Sequence, residues 1–259
     1  MKMNYNYHTH TKRCGHATGE DEEYILNAIE NGIEYLGFSD HSPYRYPDGF
    51  EAYYRVPLTE GKDYIRELNE LREKYKDKID IKIGFEMEYY PQHFEAMLKT
   101  VKDLGAEYLV LGQHFIPAEH PNGFHTCKNA PDPKLVEEYV SCVIKGIESG
   151  VFTYVAHPDM IDYKEDEEFF CKQMRKICIA SKKHNVPVEI NFNGIRTERH
   201  YPNELFWKIA GEEGCPVTFG SDAHNPNHTF DGKSLEKAKE LVGKYNLNYI
   251  GKPNIIEIK

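Results

Sequence analysis

The sequence lacks features that would place the chain in a membrane or outside the cell. It has no run of about 18 consecutive apolar residues, and Met1 to Tyr5 lead to His8 without the apolar middle of a secretory signal. Its six cysteines are scattered, with no C-x-x-C pair and no regular disulfide framework. We therefore expect a cytoplasmic protein with free thiols and no membrane association.

Positive charge is also scarce. Lysine and arginine number 32 against 42 aspartates and glutamates, which gives a net charge of −10. Nucleic-acid binding needs a basic surface that replaces condensed counterions, so a long nucleic-acid partner is disfavoured. A small phosphate ester remains compatible, because bound cations can reverse the field inside a pocket. The oligomeric state cannot be inferred from these features.

No linker, low-complexity tract or repeat divides the chain, which predicts one domain over residues 1–259. Short apolar segments predict seven strands, at residues 3–7, 34–38, 79–84, 107–112, 152–156, 187–191 and 216–220. Helical segments are predicted at 21–31, 60–76, 92–104, 133–149, 165–185, 203–213 and 234–245.

The regular alternation of strand and helix predicts an α/β fold with parallel strands and right-handed crossovers. Periodicity alone leaves open whether the sheet closes into a barrel or stays open and doubly wound. The polar residues favour the barrel, because a barrel builds its site from the C-terminal ends of many strands. Nearly every predicted strand here ends in a potential metal ligand.

Histidine and carboxylate side chains follow six of the seven predicted strands. In His8-Thr9-His10, alternate side chains of an extended chain point the same way, so two imidazoles can reach one ion. The other strand ends are Asp40-His41, Glu86-Met87-Glu88, His114, His157-Pro158-Asp159 and Asp222-Ala223-His224, and His16 lies in the loop after the first strand. One H-x-H motif is weak evidence, but the whole set predicts a polynuclear metal site.

The ligand types suit zinc, manganese or iron(II) without deciding among them. About ten potential ligands exceed what one ion needs. A carboxylate can bridge two cations, and such a pair can share a hydroxide and hold the attacking and leaving oxygens of an in-line displacement.

These motifs, in this order, resemble the PHP (polymerase and histidinol phosphatase) family. The resemblance covers nearly the whole chain: H-T-H, a following histidine, D-H, G-x-E, a single histidine, A-H-P-D and S-D-A-H. Tyr75, Gly84-x-Glu86-x-Glu88-Tyr89 and Asn191-x-Asn193-Gly194-x-Arg196 resemble the monofunctional histidinol phosphatases of bacterial histidine biosynthesis. The resemblance implies a distorted (β/α)7 barrel, three divalent metal ions and a small phosphorylated substrate, L-histidinol phosphate.

The resemblance also implies roles for individual residues. It implies three ligand sets: His8, His10, Glu86 and Asp222; Glu86, His114 and His157; and His16, His41 and His224. Glu86, Asp222 and Arg196 are the predicted catalytic residues, and Arg196 is the phosphate candidate because a guanidinium offers a planar fork to phosphoryl oxygens. Arg45, Asp40 and Glu88 are further candidates for substrate contact, the two acids alternatively orienting imidazoles.

The remaining histidines, which are His93, His120, His125, His184, His200 and His228, are interpreted as solvated or structural. His120, His125 and Arg199 stay as candidates for the pocket lining. Four tyrosines lie in the loop 44–54, at positions 44, 46, 53 and 54. Ordinary loop packing is the favoured interpretation of this loop, and a lid that excludes water is the alternative.

Three other functions share part of the pattern. A metal-dependent nuclease also uses H-x-H, Glu, His and Asp on a barrel, but the acidic charge and the additional His16, His41 and His224 argue against it. An amidohydrolase usually needs a bridging lysine where this chain has His114. A non-catalytic metal-dependent sensor would predict broken ligands, and none is broken.

Overall fold

Eight parallel strands form one sheet in the computed structural model, which describes residues 3–258. The predicted domain, residues 1–259, also includes Met1, Lys2 and Lys259, which lie outside the described residues. In chain order the strands of this sheet are β1 (Tyr5–Asn6), β2 (Tyr35–His41), β3 (Asp80–Met87), β4 (Leu109–Leu111), β7 (Phe152–Val155), β8 (Val188–Asn191), β9 (Pro216–Gly220) and β10 (Asn248–Tyr249). Spatial order follows chain order, as repeated right-handed crossovers require.

Helices connect the strands and cover the outside of the sheet. They are α1 (Asp21–Glu30), α2 (Gly61–Tyr75), α3 (Phe94–Leu104), α4 (Pro133–Ser149), α5 (Glu167–His184), α6 (Phe192–Arg196), α7 (Glu204–Glu213) and α8 (Gly232–Tyr245). Their limits follow from local chemistry. The Asp132 carboxylate accepts a hydrogen bond from the Lys134 amide and Pro133 occupies the first turn, so α4 begins there.

The sheet curls until its first strand meets β9. Side chains make much of this closure: the Tyr5 hydroxyl lies 2.9 Å from Thr218 Oγ1, and Asn6 Oδ1 accepts from the Ser221 amide at 3.1 Å. Beyond the strand ends, Thr9 and Ala223 form one isolated parallel bridge. The seven strands thus close into the distorted (β/α)7 barrel that the sequence predicted, with β10 added beside β9, and the prediction of the fold is confirmed.

Several short elements were not predicted. They are a hairpin of β5 (Phe115–Ile116) and β6 (Phe124–His125) after β4, the helix α6, the strand β10, and two single-turn 3-10 helices at Lys12–Cys14 and Pro226–His228. Two-residue strands and a five-residue helix are too short to show a periodic pattern. The short helix α6 begins because Asn191 caps it, its Oδ1 accepting from the Gly194 amide at 2.9 Å.

The apolar core lies inside the barrel and between the sheet and its helices. None of the helices within residues 3–258 is both long and apolar enough to cross a membrane. The C-terminal ends of the parallel strands meet at one end of the barrel, and the polar residues after them are buried together there.

Candidate metal centre

The two histidines that follow β1 lie against two carboxylates. His8 Nε2 is 3.5 Å from Glu86 Oε2 and 3.6 Å from Asp222 Oδ1. His10 Nε2 is 3.5 Å from the same glutamate oxygen and 3.3 Å from the same aspartate oxygen. Four ligand atoms from three strand ends therefore surround one point, as a bound cation needs.

Glu86, in β3, lies between this group and a second one. Its Oε1 is 3.0 Å from His157 Nε2 and 3.4 Å from His114 Nε2, while Oε2 faces the first group and lies 3.3 Å from His41 Nδ1. The carboxylate can reach this position because residue 112 is a glycine, where a Cβ atom would collide with Glu86 Oε1. Each oxygen of one carboxylate is thus available to a different cation.

The third group lies at the mouth of the barrel. His16 Nε2 and His224 Nε2 are 3.0 Å apart, and the rings of His16 and His41 stack with 5.3 Å between centroids. One nitrogen from each of His16, His41 and His224 lies within 4.8 Å of the others. The structure therefore brings together all nine residues that the sequence predicted as metal ligands.

Two of these residues have a backbone conformation that L-amino acids rarely adopt. His157 has φ 30° and Asp222 has φ 48°. Such conformations persist only where surrounding contacts hold them, and they concentrate at functional sites.

The donor set fits bound cations on the evidence of its own hydrogen bonds. His8 Nε2, His10 Nε2, His41 Nδ1 and Glu86 Oε2 are buried, yet none of them makes a hydrogen bond. Buried polar atoms are nearly always paired, so four such atoms facing one another need another partner. Imidazole nitrogens and carboxylate oxygens are ligands for zinc, manganese and iron.

Two groups of the site, Glu86 and His16, are held in the protonation state that binds a cation. Burial alone raises the pKa of Glu86, but the neighbouring His114 and His8 outweigh it and hold that pKa well below its usual value. Burial and the neighbouring His224 lower the pKa of His16 to about 4. An ionised carboxylate and a neutral imidazole are the forms that coordinate a metal.

Three further carboxylates contact the other nitrogens of these imidazoles. Glu189 Oε1 accepts a hydrogen bond from His8 Nδ1 at 2.8 Å, and Glu88 Oε1 accepts one from His114 Nδ1 at 2.8 Å. Asp40 Oδ1 lies 3.4 Å from His10 Nδ1. The two hydrogen bonds fix the tautomers of His8 and His114, so that the opposite nitrogen of each ring would face a cation.

These contacts bear on the two roles that the sequence left open for Asp40 and Glu88. Both side chains are buried, and neither lines the cavity beside the site. Asp40 also accepts from the Thr11 amide at 3.0 Å. The geometry therefore favours orientation of imidazoles over substrate contact for both acids.

The structure does not place Arg196 or Arg45 at the site. Arg196 Nη1 contacts Asp231 at 3.2 Å, and its Nη2 donates to the carbonyl oxygens of Ser221 and Asp222. Arg45 forms an exposed ion pair with Glu51 at 2.5 Å. Neither guanidinium lines the cavity, and the contact of these two arginines with the phosphate stays a prediction.

A cavity of about 550 Å³ opens above the histidines. Besides the predicted ligands, it is lined by Tyr53, Tyr54, Phe115, His125, Met160, Asn193, Arg199 and Tyr201. Among the weaker candidates for this lining, His125 and Arg199 are present, while His120 pairs with Asp48 at 2.6 Å outside it. Within the described residues, Arg199 is the one arginine of the lining.

The tyrosine-containing loop divides into two parts. Tyr44 and Tyr46 are buried and pack against each other, with ring centroids 4.8 Å apart. Tyr53 is 87% exposed at the cavity, and Tyr54 stacks on Phe115 with 5.8 Å between centroids. Ordinary packing thus describes the first two tyrosines, whereas the last two form part of the cavity wall.

Sequence reasoning missed Glu189, Arg55 and Glu119. Glu189 lies within the apolar strand β8 and is buried. A charged residue in such a strand is a signal that could have identified Glu189 as part of the site. Arg55 and Glu119 lie in loops where charged residues are ordinary, so the sequence carries no comparable signal for them.

Comparisons with known proteins agree with this geometry. The model of the PHP domain family matches residues 6–193. A probable histidinol-phosphatase of Deinococcus radiodurans is 25% identical over 85% of each chain. A histidinol-phosphatase of Lactococcus lactis subsp. lactis is also 25% identical, over 94% of this chain and 91% of the relative.

Among solved structures, the fold is similar to that of the histidinol phosphate phosphatase from Lactococcus lactis subsp. lactis complexed with zinc, L-histidinol and phosphate. The TM-score is 0.71 at 20% identity, and the match covers 95% of both chains. This similarity supports the distorted barrel described above.

Proposed function

This chain belongs to the PHP domain family, and from that premise we propose that it hydrolyses L-histidinol phosphate to L-histidinol and phosphate in histidine biosynthesis. It is a phosphoric monoester hydrolase that uses divalent metal ions on a small phosphorylated substrate. Relatives named histidinol-phosphatase, aligned over most of their length, support the choice of ester.

One observation carries the proposal most directly. Nine histidine and acidic side chains converge at the floor of a cavity whose wall holds one guanidinium, that of Arg199, and several aromatic rings. A phosphate ester with an aromatic group needs cations and a guanidinium at one end and flat apolar surface at the other.

We assign three ions to the site. The first is held by His8, His10, Glu86 and Asp222; the second by Glu86, His114 and His157; the third by His16, His41 and His224. When bound, zinc, manganese or iron ions lower the pKa of water and neutralise charge on phosphoryl oxygens. Glu86 would contribute to both of the first two positions, because its Oε2 faces His8 and His10 while its Oε1 faces His114 and His157.

The chain's other residues bind and orient the substrate. Arg199, whose Nε is held by Thr197 Oγ1 at 3.2 Å, takes the phosphate role that the sequence gave to Arg196. Arg196 becomes a positioning residue, because it holds the carbonyl oxygen of Asp222. Tyr54 and Phe115, which stack on each other in the cavity wall, offer apolar ring surface to the imidazole of the substrate.

The test is phosphate release from a panel of esters by protein whose metal content has been counted by elemental analysis. The panel contains L-histidinol phosphate, phosphoethanolamine, phosphotyrosine, nucleoside monophosphates and short single-stranded DNA. Phosphoethanolamine carries the amine and the phosphate without the imidazole, so it measures the contribution of the aromatic wall.

We expect kcat/KM for L-histidinol phosphate to exceed that of every other ester by at least about two orders of magnitude, the selectivity that buried polar and stacking contacts can provide. Equal rates for phosphoethanolamine would contradict recognition of the imidazole. Faster release from nucleotides or DNA would overturn the proposed substrate. No turnover by metal-replete protein would favour a non-catalytic sensor.

A further inference from the structure

A buried arginine joins two loops beneath the cavity wall. Arg55 is 2% exposed, in the loop between β2 and α2. Its Nη2 lies 2.6 Å from Glu88 and 2.6 Å from Glu119, its Nε donates to Glu119 at 2.8 Å, and its Nη1 donates to the Ser42 carbonyl oxygen at 3.0 Å. One cation thus holds two buried carboxylates that would otherwise repel each other.

On one side, this contact reaches a proposed metal ligand. Glu88 uses one oxygen for Arg55 and the other for His114 Nδ1, which donates to it at 2.8 Å. The opposite nitrogen, His114 Nε2, faces Glu86. The position of the guanidinium therefore determines the orientation of the carboxylate that orients this imidazole.

On the other side, the same arginine supports the cavity wall. Its guanidinium lies over the ring of its neighbour Tyr54, 5.6 Å from the centroid. Tyr54 in turn stacks on Phe115 and meets the edge of His41 at 5.7 Å. Glu119 lies in the loop of the β5–β6 hairpin, so the contact also fixes the segment that carries Phe115.

We propose that Arg55 is a positioning residue that couples the Tyr54 wall of the cavity to the metal ligand His114 through Glu88. This inference rests on the metal site of the proposed function, and it does not depend on which ester is the substrate. The buried contacts of Arg55 with Glu88 and Glu119 would thus order the cavity wall and also support binding of the ion assigned to His114 and His157. Loss of Arg55 disturbs both.

The test compares three variants with the wild-type holoenzyme. Arg55→Met removes both ion pairs. Glu119→Gln weakens the hairpin contact and keeps the contact between Arg55 and Glu88. Arg175→Met is the matched control, because Arg175 also joins two glutamates, Glu212 and Glu213, on the outer helices α5 and α7.

Two measurements are made on each variant: zinc bound per chain after dialysis at fixed free Zn²⁺, and KM with kcat for the best ester of the panel. We expect Arg55→Met to bind one zinc equivalent about 10- to 100-fold more weakly, as removal of a group that orients a metal ligand does. Glu119→Gln should keep the zinc content and raise KM several-fold. The control should change neither.

An Arg55→Met protein with full zinc content and unchanged KM overturns the inference, even if its melting temperature falls. If that variant does not fold, Arg55→Lys and Glu119→Gln decide, since lysine keeps the charge but offers no fork for two carboxylates. Partial zinc loss in Arg55→Lys supports the coupling, and full zinc content with wild-type KM refutes it. If the wild-type holoenzyme does not turn over L-histidinol phosphate while Arg55→Met still loses zinc, only the proposed substrate is refuted.

Discussion

Replacing Glu189 by glutamine tests whether the tautomer of His8 is set by the protein. Glu189 Oε1 accepts from His8 Nδ1, while Oε2 accepts from the His157 amide at 3.1 Å and from Asn191 Nδ2 at 2.9 Å. Three donors therefore point at two acceptor oxygens. A glutamine of the same shape has only one acceptor oxygen and one donor group.

The amide oxygen should take the Oε2 position, because two donors converge there. Its NH₂ group then faces His8 Nδ1, which must become an acceptor, and the ring proton moves to Nε2. That nitrogen is the one directed at Glu86 and Asp222. We expect metal affinity to fall about 10- to 100-fold, roughly 1.4 to 2.7 kcal/mol, as is usual for loss of such a partner.

The assay is a zinc titration against a competing chelator at constant pH, with activity followed over the same range of free Zn²⁺. Glu204→Gln is the control, since Glu204 forms an exposed ion pair with Lys244 at 2.8 Å. Zinc affinity in Glu189→Gln equal to that of the wild type would refute the tautomer argument. Restoration of activity at high free zinc would place the defect in binding.

Three further outcomes are expected. Gly112→Ala should release metal and abolish turnover, as measured by elemental analysis, because the new methyl group collides with Glu86. Arg199→Met should lower kcat/KM by about 10- to 100-fold, mainly through KM, as loss of a charged hydrogen bond does. Arg196→Met should instead reduce zinc retention and leave KM near the wild-type value. Burial lowers the pKa of His8, but the neighbouring carboxylates outweigh it and hold that pKa well above its usual value. Thermal melts of chelated protein should therefore show stability falling as the pH rises above about 6.5. Zinc-loaded protein should show the opposite trend, because a metal binds the deprotonated imidazole.

The barrel and its ligands could be predicted because each depends on local sequence. Strand ends converge in a barrel whatever the loops do, so the positions of His8, His10 and Asp222 predicted that they meet, and the family resemblance implied that they share one ion. Their orienting partner Glu189 could not, since its role depends on which nitrogen of a distant imidazole it meets.

The different placements of Arg196 and Arg199 could not be predicted from the sequence. The two arginines are three residues apart in the sequence, and both follow the strand β8. Between them Glu198 has φ 52°, which turns the chain so that Arg199 faces the cavity while Arg196 remains bound to Asp231. A left-handed residue other than glycine leaves no reliable sign in one sequence.

The closure between β1 and β9 links metal binding to the topology of the molecule. Among the described residues, the only strand-like backbone hydrogen bonds there run from the His10 amide to the Ala223 carbonyl oxygen and from the Ala223 amide to the His8 carbonyl oxygen. The proposed ligands flank these bonds on both sides. Ions at the first position would therefore cross-link the two edges of a curled sheet into a ring. Amide hydrogen exchange at His10 and Ala223 should accelerate on chelation, while the β2–β3 ladder stays protected. Recovery of activity would then require the ring to close again, so it should lag behind zinc uptake.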